Sequence, residues 1–201
     1  MTSPEHPGTA AAQLLTTPSL AALVAAHVDD LVELGSDDAP EWVTTCGVPP
    51  GWRPARLDNS PQRPARITVY GHNPGHGWAG CETISVYRFT GTLPAEVIHA
   101  NADCTLRGLN AQNITTTTLT TPPTPGVTAV RASGYFTAGH RRIWGQYSTY
   151  TTAPIPAAGQ GLLIEHTLFI DADHQADLAD DIARLSNTIH HTFQAVTATA
   201  R

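Results

Sequence analysis

Ten histidines in 201 residues make metal binding the first chemistry to test, because imidazole is the commonest nitrogen ligand for zinc, copper and nickel. His72 and His76 stand four apart, yet Asn73, Pro74 and Gly75 separate them, so they are not the i, i+4 pair of one helical face. They can meet at one metal only within a loop, and the plain alternative is a polar hairpin tip. His190 and His191 are neighbours in a helical pattern, about 100° apart around its axis, and point in different directions. The metal candidates are therefore His72 and His76 alone, and no cofactor is implied.

The other constellations read as structural. DADHQADLADD sets Asp171, Asp173 and Asp177 at the first, third and seventh positions of a calcium loop, but Ala176 and Ile182 stand where that loop needs glycine and a bidentate acid. Helix capping accounts for the same acids. There is no G-x-S-x-G elbow, and Glu82, Glu96 and Glu165 have no spacing that predicts a shared cleft. Gly75, Gly77 and Gly80 cannot form a phosphate loop, which needs a lysine, because all eleven basic residues are arginine. His140, Arg141 and Arg142, beside Trp144, form the most basic patch and read as a solvated turn rather than an anion site. Cys46, Cys81 and Cys104 form no C-x-x-C pair; Cys81 and Cys104 read as small buried hydrophobes, and a Cys46 to Cys81 bridge is possible but unsupported. No catalytic constellation emerges, and the expectation is a protein that is not an enzyme.

The elements that must position these residues follow from periodicity and punctuation. Residues 1–16, rich in Pro, Gly, Ala and Thr, bury too little apolar surface to order themselves and are expected to be a flexible tail. Leu20, Leu23, Val24, His27, Leu31 and Leu34 recur at helical spacing until Gly35, which predicts an amphipathic helix over residues 17–35. Residues 36–65 form a proline-rich arm anchored on a core by Trp42, Val43, Val48 and Trp52. Residues 66–72 and 82–90 are β-branched and aromatic, joined by the turn-rich NPGHGWAG as a hairpin. A helix starting at Thr92, Leu93 and Pro94 runs to Gly108, a threonine-rich strand follows over 114–121, and longer strands occupy 127–137, 142–152 and 162–171. Leu178, Ile182, Leu185, Ile189 and Phe193 stripe a long C-terminal helix. Both alternating faces of the strand around Trp144 carry aromatics, which predicts a sheet covered on both sides. The fold class expected is α+β, with an antiparallel sheet of about five to seven strands covered by helices and an extra N-terminal helix, the main domain spanning residues 66–195.

Composition narrows the partners. The chain is 41% hydrophobic and only 14% charged, with a net charge of −6 and no basic cluster, which argues against nucleic acid as a partner. No apolar run reaches the roughly 20 residues that span a bilayer, and the first residues lack the basic and apolar regions of a secretory signal, so a cytoplasmic location is the expectation for the sequence as written.

Three phrases resemble the mycobacterial LpqN-type lipoprotein family: VPPGW at 48–52, ISVYRFTGTLPAEVI at 84–98 and GVTAVRASGYF at 126–136. The resemblance spans about residues 48–194 and rests on structural positions such as Gly91 and Pro94. It implies a PsbP-like α/β/α sandwich, no known catalytic residues, and association with the cell envelope, which would make an envelope or secreted location the alternative. It also implies binding of a protein or of a lipid conjugate. The segment 17–35 has no counterpart in it and is either a partner-binding element or an added cover for the sheet. The function expected is a non-enzymatic binding module for a protein partner or an amphipathic ligand. Its contact candidates are Leu20, Leu23, Leu31, Trp42, Trp52, Trp78 and Trp144. The alternatives are a subunit of a larger assembly and a metal-binding protein centred on His72 and His76.

Overall fold

Period-two alternation decides the architecture. In ISVYRF, Ile84 and Val86 are fully buried on one side of the strand, while Ser85, Tyr87 and Phe89 point to the other. The computed structural model describes residues 19–56, 64–73, 77–152 and 159–199. The segment expected to be a tail, residues 1–16, and His76 lie outside these. The elements are α1 (Leu20–Val24), β1 (Asp30–Leu34), α2 (Glu41–Thr45), β2 (Arg53–Pro54), β3 (Arg66–Asn73), β4 (Gly77–Thr90), α3 (Ala95–Asn101), α4 (Cys104–Gly108), β5 (Gln112–Thr118), β6 (Thr128–Ala138), β7 (Arg141–Thr151), β8 (Gln160–Asp171) and α5 (Ala179–Thr199). A 3-10 turn, Ala172–His174, enters the last helix region, with the Asp171 carboxylate accepting from the Asp173 N–H.

The strands form one antiparallel sheet of eight strands in the order β2-β3-β4-β8-β7-β6-β5, with β1 also paired to β4. The length of β4 makes this possible: β3 pairs with its first part, Gly77 to Ile84, and β1 with its last, Val86 to Thr90. The expected α+β sandwich is the fold found, with more strands than the five to seven expected because the arm and the N-terminal segment each contribute one.

Helices cover both faces. On the back face, α5 lays Ile189 and Phe193 against Ile84, Val86, Ala129, Tyr150 and Ile164, all of them at most 1% exposed or wholly buried, and α2 adds Val43. Leu185 and Leu178 continue this layer over Leu168, Ile170 and Trp52. Each such side chain contributes roughly 1.5–3 kcal/mol by leaving water. On the front face, α1 and α3 cover Phe89, Val130 and Leu163, while α4 sets Leu106 against Ala132 and Phe136. Gly161 and Gly80 are required by close approach of aromatic rings. Phe89 crosses Gly161, where a Cβ would lie 2.3 Å from the ring, and Trp52 lies over Gly80, where it would lie 2.9 Å away.

Several boundaries differ from the sequence reading. The helix expected over 17–35 is one short helix, α1, capped by Ser19 on the Ala22 N–H, and DLVEL forms β1 instead. Pairing with β4 supplies this segment with backbone partners that outweigh its helical spacing, so Leu31 sits on a strand. The helix expected up to Gly108 breaks at Ala102 and Asp103 into α3 and α4, which lets Ile98 and Leu106 reach different parts of the front core. Much of NPGHGWAG is strand, because Gly77–Thr90 begins pairing with β3 at Gly77. Val48, expected as an anchor, is 36% exposed, whereas Val43 and Trp52 are buried.

Candidate functional site

The front face is only partly roofed. Between the cover of α1 and α3 and that of α4, the sheet presents Cys81, Thr83, Ser85 and Tyr87 of β4, Glu165 and Phe169 of β8, and Tyr147 of β7, all half-buried. Strand register assembles them. Ser85 lies opposite Glu165, Tyr87 opposite Glu33 of β1, and Tyr147 opposite Thr167, so Glu165 is the diagonal neighbour of both tyrosines. The floor thus alternates aromatic rings with hydroxyls around one carboxyl.

Burial keeps the floor's thiols and phenols uncharged and leaves its carboxyl about half ionised near neutral pH. Burial pushes the Glu165 carboxyl up to about 7; the nearby Glu33 carboxylate adds to this, and the Ala21 backbone N–H, donating to it from the start of α1, opposes it. Burial raises Cys81 to about 11, helped by the charge of Glu82, and raises Cys104 as well. Tyr87 and Tyr147 are also raised by burial and then by Glu165. The thiols and phenols are therefore held in their protonated forms, the opposite of what activates a nucleophile. What the floor can do is donate and accept hydrogen bonds and cover apolar surface.

A second polar group lies on the back face beneath α5 and is sealed. Glu82, fully buried, accepts from Arg66 Nη2 and Thr68 Oγ1 at 2.8 Å each and is hydrogen-bonded to His166 Nε2 at 3.0 Å. Burial alone would raise this carboxyl, but the His166 hydrogen bond and the charges of His166 and Arg66 hold it at about 2. The row continues through Arg131 Nε donating to Ser148 Oγ at 2.9 Å and Gln146 Nε2 donating to Ser186 Oγ at 2.7 Å, which ties the sheet to α5. Its burial leaves no path for a ligand, and its role is to fix the helix on the sheet.

The contact candidates from the sequence scatter over the fold. Leu20, Leu23 and Leu31 pack into the front core around Phe89, on two different elements. Trp42 packs against the back core beside Val43, and Trp52 is buried there, its Nε1 donating to Asp181 at 3.0 Å. Trp144 packs beside Ile182 in the same layer. Trp78 is 41% exposed, and Arg141 donates to its carbonyl while pairing with Asp171. This pairing corrects the solvated-turn reading of Arg141; Arg142 stacks 4.4 Å above the Tyr135 ring. Of His72 only the backbone is described, opposite Trp78. Among the described residues no group of three or more His, Cys, Asp or Glu could hold a metal ion. None of Cys46, Cys81 and Cys104 is in a disulfide. Glu82 and Glu165 lie on opposite faces, and Glu96 is exposed. Sequence reasoning missed the front floor; alternation along residues 81–87 and 163–169 carried the signal, but which strands were neighbours did not show.

The chain is similar to LpqN of Mycobacterium tuberculosis, described as involved in cell envelope biogenesis, with a TM-score of 0.61 and 16% identity over 85% of this chain and 95% of that one. The likeness is one of fold. No family model matches the chain, and no curated protein does. Among the described residues, no helix is long and apolar enough to cross a membrane.

Proposed function

We propose that this chain is a non-catalytic binding module whose front floor receives an amphipathic ligand. The observation that carries this reading is the half-open strip of the sheet between two helical covers, floored by Tyr87, Tyr147 and Phe169 alternating with Thr83, Ser85 and Glu165. Rings and methylenes cover an apolar chain, and hydroxyls fix a polar head. A carboxyl in the floor and a net charge of −6 disfavour an anionic head, so the ligand class is a polar, non-anionic head on an alkyl chain. The likeness of fold to LpqN supports an envelope setting for such a ligand.

Titration with an uncharged alkyl glycoside, kept below its micellar concentration and followed by calorimetry, tests the reading. Saturable binding that Ser85→Trp abolishes, with the melting temperature retained, is expected. Binding that S85W leaves unchanged, or no saturation at all, overturns it. A protein partner is the second reading, favoured by Trp78, which stands 41% exposed on a strand end pinned by Arg141.

A further inference from the structure

The edges of the sheet are not treated alike. At one margin β2 is two residues long and contains Pro54, which has no N–H to offer, and β1 carries Asp30 and Glu33. Short length, proline and charge are the devices by which proteins keep sheet edges from pairing with other chains. At the opposite margin β5 is seven residues long and has none of them. Thr115, Thr116, Thr117 and Thr118 are all exposed, and among the described residues the strand is paired on its β6 side only. A register shift disturbs the pairing between Gln112 and Thr115 but leaves Thr115 to Thr118 in regular register with Ser133, Ala132, Arg131 and Val130. No Asp, Glu, Arg or His occurs between Arg107 and Arg131.

We propose that this edge pairs with the same edge of a second copy of the chain, joining two sheets into one across a two-fold axis. Antiparallel pairing about an axis perpendicular to the sheet keeps the faces continuous when opposed residue numbers sum to an even value. With the axis at Thr116, that residue meets the partner's Thr116, and Thr115 meets the partner's Thr117. The run is therefore complementary to itself, and β-branched threonines opposite one another stabilise a strand pair. Charge selects the same place. Each copy carries a net charge of −6, and a stretch without charges is where two such copies approach at least cost. A partner with a charged recognition segment would find no complementary group on this strand, which favours a second copy over a foreign chain. One strand pair buries less than the ~1,000 Å² of a tight interface, so the dimer is reversible and dependent on concentration.

Sedimentation equilibrium of the full chain from about 1 μM to 1 mM tests this, covering the range in which so small an interface dissociates. The expected result is a reversible monomer–dimer equilibrium. Thr116→Val keeps it, Thr116→Lys weakens it by at least about tenfold through like charges placed opposite each other, and mixing T116K with Thr116→Glu restores a heterodimer. Thermal melting at low concentration must be unchanged in each variant, so that loss of dimer is not loss of fold. Amide exchange over residues 115–118 slows as concentration rises. A monomer across the whole range, which would leave the edge to another protein's strand, overturns the proposal, and so does a dimer that T116K does not weaken.

Discussion

Replacing Glu165 by glutamine isolates the front-floor carboxyl whose protonation burial moves toward neutrality. Glutamine has the shape of the protonated acid and can still accept from the Ala21 N–H. Because burial raises the folded-state value from 4.5 to about 7, the folded protein holds a proton there that the unfolded chain releases. The stabilisation is thus fully present below pH 4.5 and is lost as pH rises through about 7. The displacement corresponds to about 3 kcal/mol as an upper value, reduced in practice by the partial exposure of the side chain. Urea unfolding followed by tryptophan fluorescence at pH 4.5 and pH 8 measures it, with E165Q against the parent protein. Near pH 4.5 the two should unfold at similar urea concentrations; at pH 8 E165Q should be the more stable, its midpoint higher by up to about 1 M. His190, whose value burial, Arg131 and His191 lower, acts in the opposite sense, gaining stability as pH rises, and is present in both proteins, so the difference between them isolates Glu165. A stability difference that is the same at both pH values, or an E165Q protein less stable at pH 8, would refute the reasoning.

Two further outcomes follow from the back face and the sheet. Glu82→Ala leaves Arg66 and His166 buried without their shared acceptor and should cost about 3–5 kcal/mol in chemical denaturation, whereas the parent keeps the Glu82 contribution above pH 4.5 and loses it as pH falls to about 2. Gly161→Ala forces a Cβ into the Phe89 ring and should cost about 1–3 kcal/mol, read as a lower melting temperature; an unchanged melt would show that Phe89 moves aside freely.

The front floor and the β5 edge serve different purposes, and their tests separate them. Ser85 and Glu165 lie on inner strands, while Thr116 lies on the outermost one, so T116K should leave glycoside binding intact and S85W should leave the oligomeric state intact. The buried Glu82 cluster belongs to neither. It ties β3, β4 and β8 together, and Gln146 with Ser186 fastens α5 to the same face, giving the floor a rigid back.

The long strands and the C-terminal helix were legible in the sequence because their signal is local. Alternation over 127–137, 142–152 and 162–171 lies within a residue or two of β6, β7 and β8, and the stripe from Leu185 to Phe193 faces the core as its spacing requires. Local spacing failed where pairing at a distance overrode it. DLVEL reads as helix until β4 offers it an edge, and GWAG reads as turn until β3 does. Trp52 reads both as an anchor of the arm on a core and as a contact candidate; it is buried, as an anchor is, but that it lies over Gly80 shows only when residues distant in the chain are brought together. By itself the sequence determined the α+β class, the sheet covered on both sides and the absence of a phosphate loop, since composition and short-range periodicity are enough for these. Tertiary structure alone decided that Glu165 stands between Tyr87 and Tyr147, that Glu82 is sealed beneath α5, and that β5 ends the sheet uncharged. Each of these depends on which strands are neighbours and in what register, and a one-residue shift in register would turn every one of those side chains to the other face.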